Sequence, residues 1–389
     1  MVSDIFDTYF YLLENPGLRQ LGLAEYQIKY ATPHFDKQVY QSSSGRVFES
    51  VEEAYKDWLS GGRQEGFEWA EGKDTLLKIV LKAKDELELL DAWISHHSEI
   101  VGYENLIILD CGSTDPAYLR KLQAYRSRVL IFDYKRYYDH IHSTRSNASF
   151  FNFIGRNCRY VTVLDADEFL IAKHGSYFSK NFVKQILRQQ SHQIFCGIWL
   201  NTVEPGALID SVFDRFSKIN IDVSSEALLA GAVAGKAIAN TNILMEMGHL
   251  GHNLHSPDVL PFVSGQSFGH LFIVHVKNLD RAVTKARALR HLVAKGAMSG
   301  VLASEIEEEV SALSRSANTT PDIRGYAQIY MQAGQVPLTT AADVEVATVS
   351  LVGQNPPEAI ALLDRSLSRL DFSELVTDKA RAFQKEVTP

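Results

Sequence analysis

The stretch Val161-Thr162-Val163-Leu164-Asp165-Ala166-Asp167-Glu168-Phe169-Leu170 places three carboxylates directly behind a hydrophobic strand. Carboxylates packed this closely repel one another at neutral pH unless a cation neutralises them. Oxygen ligands suit Mg²⁺ or Mn²⁺, which keep coordination positions open for the phosphate oxygens of a substrate. The stretch therefore predicts a divalent-metal site at Asp165 and Asp167. A solvated acidic turn after a strand is the alternative interpretation of these residues alone.

The segments around this stretch alternate between strand and helix patterns. Compact apolar runs predict buried strands, and apolar residues three or four positions apart predict helices. This alternation predicts an α/β fold with a mainly parallel sheet flanked by helices on both faces. The predicted strands cover residues 76–83, 106–109, 129–134 and 160–164, with helices over 85–101, 116–126 and 145–158. From residue 279 onward the spacing predicts helices over 279–295, 303–316, 322–333, 340–352 and 356–385.

A second polar turn, Asp110-Cys111-Gly112-Ser113-Thr114-Asp115, follows another predicted strand. Ser113 or Thr114 is expected to cap the next helix, with Pro116 in its first turn. The Asp110 carboxylate is then available to a base or a ribose. Because ligands bind outside the carboxyl ends of parallel strands, Asp110 and Asp165 are expected to face one crevice. Taken alone, this turn has a purely structural role as its alternative.

Composition limits the classes of function. The chain has 389 residues, 46% of them hydrophobic and 22% charged, which describes an ordinary folded protein. Its net charge of −8 argues against nucleic acid or an anionic membrane as the main partner. Three cysteines without a CxxC pair fit a reducing compartment and provide no zinc or disulfide framework. The first residues have no signal-peptide pattern, and no apolar run reaches membrane-spanning length. We expect a cytoplasmic protein, with the inner face of the membrane as a second location.

Four segments occur in the order of a known family pattern: Lys84-Asp85-Glu86, then 90–97 with Asp91, Trp93 and His97, then 110–115, then 164–170. The series resembles the family-2-like glycosyltransferases, whose pattern runs "KNE…L.EWI.YH…G…I.D.GSTD…LD.DEFL", and the related family 92 enzymes. The likeness extends over about residues 76–285 and is most specific in its first half. Asp85 stands where the family has asparagine, and Asp91 where it has glutamate. Both changes keep the residue polar.

The resemblance implies a GT-A fold with a catalytic domain over 73–295. Residues 1–72 would form a small helical accessory module and 296–389 a helical C-terminal region. In the accessory module Phe6-Asp7 and Phe35-Asp36 lie 29 residues apart, as do Tyr26 and Tyr55. This resembles short repeats found beside bacterial glycosyltransferase domains. The repeats would dock a partner or pack on the catalytic domain, and the C-terminal helices would support that domain or form a homo-oligomer surface.

The resemblance also implies roles for single residues. Asp110 would contact the nucleoside, Asp167 would be the main metal ligand, and Asp165 would contact the ribose or the metal. His275, at the end of Leu271-Phe272-Ile273-Val274-His275, would complete the metal sphere, with a core histidine bonded to a carbonyl as the alternative. Further donor contacts are assigned to three residues, namely Lys84, Asp115 and Lys236.

The acceptor side is less specific. Gly248-His249-Leu250-Gly251-His252-Asn253-Leu254-His255 is interpreted as an acceptor-binding loop, with a zinc site as the weaker alternative. His255 corresponds best to the histidine that follows the family's "K.I" strand. Transfer with inversion needs a group that takes the proton of the acceptor hydroxyl. The candidates for this base are Glu204 and Asp210, with Asp214 as a rival and His255 as a further catalytic residue.

These features predict transfer of a sugar from a nucleoside diphosphate donor, expected to be UDP-linked, to a glycan or lipid-linked acceptor. The resemblance suggests bacterial surface polysaccharide synthesis and an inverting, Mn²⁺- or Mg²⁺-dependent reaction. One alternative is a sugar nucleotidyltransferase, although Leu81-Lys82-Ala83-Lys84-Asp85 has no glycine-rich loop for a triphosphate. The other is a non-catalytic glycan-binding protein, against which the intact Asp110, Asp165 and Asp167 argue.

Overall fold

The computed structural model describes residues 37–62, 75–134, 138–189, 192–203, 218–276, 281–298, 305–333, 345–351 and 355–378. Within them lie eleven strands: β1 Thr75–Ala83, β2 Leu106–Asp110, β3 Leu130–Asp133, β4 Cys158–Leu164, β5 Glu168–His174, β6 Tyr177–Ser179, β7 Ile194–Asn201, β8 Lys218–Asp222, β9 Lys236–Asn240, β10 Leu271–His275 and β11 Val346–Ser350. The α-helices of the described residues include α1 Lys37–Ser44, α2 Val51–Asp57, α3 Leu90–Val101, α4 Pro116–Tyr125, α5 Ala148–Gly155, α6 Val183–Gln189, α7 Ser225–Ala234, α8 Leu244–Met247, α9 Arg281–Ala294, α10 Ile306–Arg315, α11 Pro321–Gln332 and α12 Pro357–Ser368, and residues 372–378 are also helical.

Nine strands form one sheet in the order β3-β2-β1-β4-β9-β7-β10-β5-β6. The block β3-β2-β1-β4 is parallel throughout, and β7 is also parallel to β10. β9 and β5 run antiparallel to their neighbours. The predicted fold class, α/β with a largely parallel central sheet and flanking helices, is confirmed. The parallel block turns all its carboxyl ends to one edge, which is where a ligand site is expected in such sheets.

The core lies between the sheet and the helices α3, α5, α6 and α7 that pack on it. The central strands are buried along nearly their whole length, as expected for strands covered on both faces. Large side chains that are completely or almost completely excluded from solvent fill the space between the layers, namely Trp93, Tyr118, Phe151, Tyr160 and Phe169. The rigid core fixes the ends of β1, β2, β4 and β10, and those ends carry the candidate site.

Two predicted helix boundaries are corrected by backbone conformation and pairing. The helix expected over 85–101 begins at Leu90, because Asp85 has a φ of 56° and lies in the left-handed region. Its end at Gly102, with a φ of 84°, agrees with the prediction. The helix expected over 145–158 is Ala148–Gly155, because Cys158 already pairs with Thr75 as the first residue of β4.

The helix expected over 340–352 is wrong for its described part, where β11 pairs antiparallel with β8. The alternate residues Ala347 and Val349 of β11 are buried in the main core. The helix α12 follows and adds Ile360 and Leu363 to the same core. A second, smaller core joins α9 to α10 and α11 through residues that include Leu292, Val310 and Ala327.

Residues 37–62 form α1, α2 and one π-helical turn, Trp58–Gly62. Tyr40 of α1 is fully buried, and its hydroxyl donates to Asp57 Oδ2 over 2.6 Å. The repeat elements at Phe6-Asp7, Tyr26 and Phe35-Asp36 lie outside the described residues. Among the helices that the structure describes, none is both long and apolar enough to cross a membrane.

Candidate active site

The carboxyl edge of the parallel block brings two predicted donor residues to either side of β1. Asp110 ends β2 and pairs with Ala83 at the end of β1. On the other side, Leu164 of β4 pairs with Leu81, and Asp165 follows directly. Neighbouring strands lie about 4.8 Å apart, so two strand spacings separate these residues by about 10 Å. Asp110 and Asp165 therefore lie on either side of the end of β1.

The turns after β1 and β2 are tied together by Asp85. Its backbone N–H donates to Ser113 Oγ over 2.9 Å, and its Oδ1 accepts from the N–H groups of Thr114 and Asp115 at 2.9 and 2.8 Å. A short polar side chain tolerates the left-handed backbone that Asp85 adopts. Asp85 Oδ1 acts as an acceptor in both of these bonds, which suits a carboxylate.

The cap of the helix α4 differs from the prediction. The prediction of Ser113 or Thr114 as the cap is wrong, because Asp115 is the capping residue and accepts from the N–H groups of Ala117 and Tyr118. The Ser113 hydroxyl accepts from Asp85 instead, which is why it does not reach the helix. Asp115, predicted as a donor contact, thus directs Oδ1 into its own helix. Asp110 accepts from the Ser113 N–H through Oδ1.

Asp165 lies between two lysines. Lys236 Nζ is 2.8 Å from Asp165 Oδ2, and Lys82 Nζ is 3.4 Å from Oδ1, an ion pair without hydrogen-bond geometry. Burial alone would raise the pKa of Asp165, but Lys236 and Lys82 outweigh it and hold the pKa well below its usual value. Both lysine side chains are at most 5% exposed, whereas that of Asp165 is 25% exposed. The Asp165 carboxylate is therefore partly exposed, while the two lysines that neutralise it are buried.

Lys82 is also bonded to Asp139 and His142 of the short 3₁₀ helix Tyr138–His142. Its ammonium donates to Asp139 Oδ1 over 2.7 Å and to His142 Nε2 over 2.9 Å. His142 Nδ1 donates to the Leu250 carbonyl over 2.6 Å, so this imidazole is neutral and accepts at Nε2. On the other side Lys295 reaches Asp139 Oδ2 over 2.7 Å.

Asp167 meets His275 and Arg287. His275 Nε2 is 3.6 Å and Arg287 Nη2 is 3.1 Å from the same oxygen, Asp167 Oδ2. The position follows from strand register, because the Val276 N–H donates to the Asp167 carbonyl over 2.9 Å. His275 is further held by the Trp199 ring at 4.2 Å. Burial alone would raise the pKa of Asp167, but Arg287 and His275 hold it below its usual value.

The pair Asp167 and His275 fits a divalent cation. Two ligands that are each about 2.1 Å from a metal lie about 3 to 4 Å apart, and Asp167 Oδ2 and His275 Nε2 are 3.6 Å apart. Mg²⁺-like ions are usually held by one or two protein ligands together with substrate phosphates. Asp165 faces Lys82 and Lys236 rather than this pair. In the part of the chain that the structure describes, no three acidic, histidine or cysteine side chains form a ready metal cage.

Glu168 is a buried carboxylate that joins the acidic turn to Trp199. Its side chain is fully buried, with Oε2 accepting from the Asp165 N–H over 2.8 Å and Oε1 from Trp199 Nε1 over 2.9 Å. Burial raises the pKa of Glu168 to about 8, against the lowering effect of Lys236 and with a further rise from Asp165. The residue therefore holds the acidic turn and the Trp199 ring in place.

The predicted acceptor loop forms a group of histidine rings beside the two lysines. The rings of His142 and His249 are 5.5 Å apart, and those of His252 and His255 are 5.3 Å apart. His252 Nδ1 donates to the Ala234 carbonyl over 2.6 Å. His255, a predicted catalytic residue, is exposed at the outer side of this group.

The other predicted positions are less informative. Lys84 is half-buried in the turn after β1. The predicted bases Glu204 and Asp210, and the rival Asp214, lie outside the described residues.

Sequence reasoning missed several buried charges at this site. Lys82 lies in the predicted strand over 76–83 and was given no role. A lysine one residue before the end of a buried strand nevertheless indicates a charged partner, because lysine is almost never fully buried unless it is paired. Arg287 lies in the helix predicted over 279–295, to which no site residue is assigned. The other residues without a predicted role are Glu86, Asp139, Glu168, Lys295 and the uncharged Trp199, of which Glu86 and Glu168 lie within quoted motifs.

No family model matches the chain, and no curated protein matches its sequence. Several solved structures align with this chain at low sequence identity and low TM-score. TarS 1–349 of S. aureus aligns with 12% identity and a TM-score of 0.28, covering 72% of this chain and 98% of its own. GalNAc-T7, solved with UDP, GalNAc and Mn²⁺, has 13% identity and a TM-score of 0.31 over 66% of this chain and 54% of its own. A mycobacterial protein has 13% identity and a TM-score of 0.29 over 73% and 87%. At these identities and TM-scores the likenesses carry no argument about the function of this chain.

Proposed function

We propose that this protein is a GT-A glycosyltransferase that transfers a sugar from a nucleoside diphosphate donor, UDP-linked, to a glycan or lipid-linked acceptor. The observation that supports it best is the arrangement at the carboxyl edge of the sheet. Asp110 and Asp165 flank β1, and Asp167 lies 3.6 Å from His275. This arrangement supports a nucleoside site and a cation site side by side, as a nucleoside diphosphate would require.

The residues of the chain would divide the donor between them. Asp110, with its Oδ1 fixed by the Ser113 N–H, would accept from the nucleoside. Asp165, held by Lys236 and Lys82, would contact the ribose. A divalent cation, Mn²⁺ or Mg²⁺, held by Asp167 and His275 would supply charge stabilisation to the departing diphosphate. The lysines would keep the crevice from becoming strongly anionic when the phosphates enter.

The acceptor is proposed to enter beside the histidine group. His255 is exposed there, and its ring is near His252, which is fixed through Nδ1. We propose an inverting reaction on the family resemblance, with a base drawn from Glu204, Asp210 or His255. The proposed setting is bacterial surface polysaccharide synthesis, in the cytoplasm or at the inner face of the membrane. Residues 1–72 and 296–389 are proposed as the docking and oligomer surfaces around a catalytic domain at 73–295.

A donor screen tests the proposal. Nucleoside diphosphate sugars are added with Mn²⁺ to the wild type and to Asp167→Asn, and both Tm and slow donor hydrolysis are measured. A UDP-sugar should raise the Tm of the wild type by a few degrees, because ligand binding stabilises the folded state. Asp167→Asn should lose at least about a hundredfold in hydrolysis, the scale expected when a group that stabilises transition-state charge is removed.

Asp364→Asn is the matched control, since Asp364 is an exposed partner of Lys173 and lies in α12. It should behave like the wild type. The proposal fails if no nucleoside diphosphate sugar stabilises the protein, or if Asp167→Asn hydrolyses donor at the wild-type rate. Release of pyrophosphate from a nucleoside triphosphate would identify a nucleotidyltransferase instead. Stabilisation by glycans without any nucleotide effect would identify a binding protein.

A further inference from the structure

Arg287 lies beside the oxygen of Asp167 that would bind a cation. It lies on α9, its side chain is 11% exposed, and its Nε is 3.0 Å from Glu86 Oε2. Its Nη2 is 3.1 Å from Asp167 Oδ2. The guanidinium thus joins the turn after β1 to the acidic turn after β4. A buried arginine with two carboxylate partners is fixed more firmly than a surface ion pair.

The oxygen that Arg287 contacts is also the oxygen that faces His275. Asp167 Oδ2 lies 3.6 Å from His275 Nε2, so a cation shared by these two ligands would lie within a few ångströms of the guanidinium. Two positive charges at that distance in a buried site repel each other strongly. Arg287 and a divalent cation therefore compete for Asp167 unless an additional anion lies beside them.

The phosphates of the proposed donor would be such an anion. A guanidinium presents a planar set of donors that suits phosphate oxygens. The two lysines are less available for this purpose, because Lys236 is bound to Asp165 and Lys82 to Asp139. Arg287 is the cation that the metal itself would have to displace.

We propose that Arg287 is a positioning residue that neutralises Asp167 in the ligand-free protein and transfers to the donor's phosphates when metal and nucleotide bind together. This inference rests on the proposed function. Its consequence is coupling: Arg287 weakens the binding of the metal alone and strengthens its binding in the presence of the nucleotide. Because such coupling is reciprocal, the metal must strengthen nucleotide binding by the same factor.

The test measures Mn²⁺ affinity by electron paramagnetic resonance of free Mn²⁺, with and without UDP. The proteins are the wild type, Arg287→Gln, the control Arg290→Gln and the site variant Asp167→Asn. Arg290 lies three residues further along α9 and pairs with Glu88 over 2.7 Å. In Arg287→Gln, Mn²⁺ alone should bind on the order of tenfold more tightly, because a competing charge is gone. UDP should bind on the order of tenfold more weakly when Mn²⁺ is present, because a charged phosphate contact is gone.

The double variant Glu86→Gln/Arg287→Gln removes both charges of the buried pair, so a folding defect from an unpaired Glu86 does not obscure the result. It should show the same loss of coupling as Arg287→Gln, while Arg290→Gln keeps the coupling of the wild type. An unchanged or weaker affinity for Mn²⁺ alone in both Arg287 variants would overturn the inference while leaving the proposed function intact. If the wild type binds Mn²⁺ no better than Asp167→Asn, with or without UDP, the proposed metal site fails as well.

Discussion

At the scale of single residues, His96 and His97 hold the strand that follows the acidic turn. His96 Nε2 donates to the Leu170 carbonyl over 2.8 Å, and the Leu170 N–H donates to His97 Nε2 over 3.2 Å. His97 Nδ1 then donates to the Trp93 carbonyl over 2.9 Å. Because His97 donates at Nδ1 and accepts at Nε2, its imidazole is neutral, and both hydrogen-bonding groups of the Leu170 backbone are satisfied. By binding Leu170 of β5, the two histidines hold the chain in place just after Asp167.

Acid should weaken the fold through His96. Burial lowers the pKa of His96 to about 3, with a smaller opposing effect of the Leu170 carbonyl. Since the pKa in the unfolded chain is about 6.5, this stabilisation is complete above that pH and is lost as the pH falls from 6.5 towards 3. Between pH 7 and pH 5 the loss from this one group is about 2 kcal/mol. Urea unfolding of the wild type and His96→Gln at several pH values should show a smaller pH dependence in the variant.

His174→Gln is the control for this measurement, because the His174 side chain is exposed at the end of β5. It should leave the pH dependence of the free energy of unfolding unchanged. Equal slopes for His96→Gln and the wild type between pH 7 and pH 5 would mean that His96 is not buried as a neutral group.

The sequence predicts acidic site residues more readily than their cationic partners. Asp110, Asp165 and Asp167 stand in turns directly after strands, so local pattern and family resemblance both point to them. Lys236 and His275 could be assigned through resemblance alone. The partnership of Arg287 with Asp167 spans 120 positions and depends on how α9 packs over the sheet, so no local pattern specifies it.

At the scale of elements, α7 lies unusually close to β7. A Cβ atom added at Gly231 would lie 2.3 Å from the Trp199 carbonyl oxygen. Because that oxygen belongs to the backbone, the clash could be relieved only by moving the helix or the strand. The absence of a side chain thus lets the helix pack against the strand that carries Trp199 and Asn201. This close packing also sets the start of β9, where Lys236 enters the site.

Gly231→Ala should therefore destabilise the protein. Overpacking a tight interface costs about 1 to 3 kcal/mol, although alanine by itself is the better helix former. Gly325→Ala is the matched control, because it lies within α11 with no atom within 4 Å of an added Cβ. It should be neutral or raise stability by up to about 1 kcal/mol. Urea denaturation of both variants measures the difference. Equal free energies of unfolding for Gly231→Ala and Gly325→Ala would show that α7 can shift away from β7 at no cost.

The misassigned segment at 346–350 shows what limits prediction at this scale. Its burial alternates, as in a half-buried strand, yet it is short and lies between helical patterns. Its partner β8 is more than 120 residues earlier in the chain, with Thr348 Oγ1 donating to Asn220 Oδ1 over 2.7 Å. Pairing over such a distance is decided by tertiary packing, which local propensity does not contain. By contrast, β1, β2 and β4 are predominantly apolar runs whose burial is evident from composition.

At the scale of the whole molecule, the end of the described chain belongs to the main core. β11 joins β8, and the Thr202–Ile221 bridge connects that pair to the residue after β7. Leu363 of α12 is fully buried within the same core as the central strands. Residues on both sides of the predicted boundary at 296 therefore contribute to the main core. Unfolding of α12 should accordingly be coupled to unfolding of the sheet.

Leu363→Ala tests this coupling. The substitution should lower the free energy of unfolding by about 2 to 5 kcal/mol, the range for a large-to-small change in a packed core. Arg365→Ala is the control, since Arg365 is exposed on the same helix and its loss should change stability by no more than about 0.5 kcal/mol. In a background that keeps Trp93 as the single tryptophan, fluorescence reports the main core, because Trp93 is fully buried against the sheet, and circular dichroism reports the helices. In Leu363→Ala both signals should shift together to lower urea concentration. If the helical signal shifts while the Trp93 transition stays at its wild-type midpoint, α12 unfolds independently of the sheet.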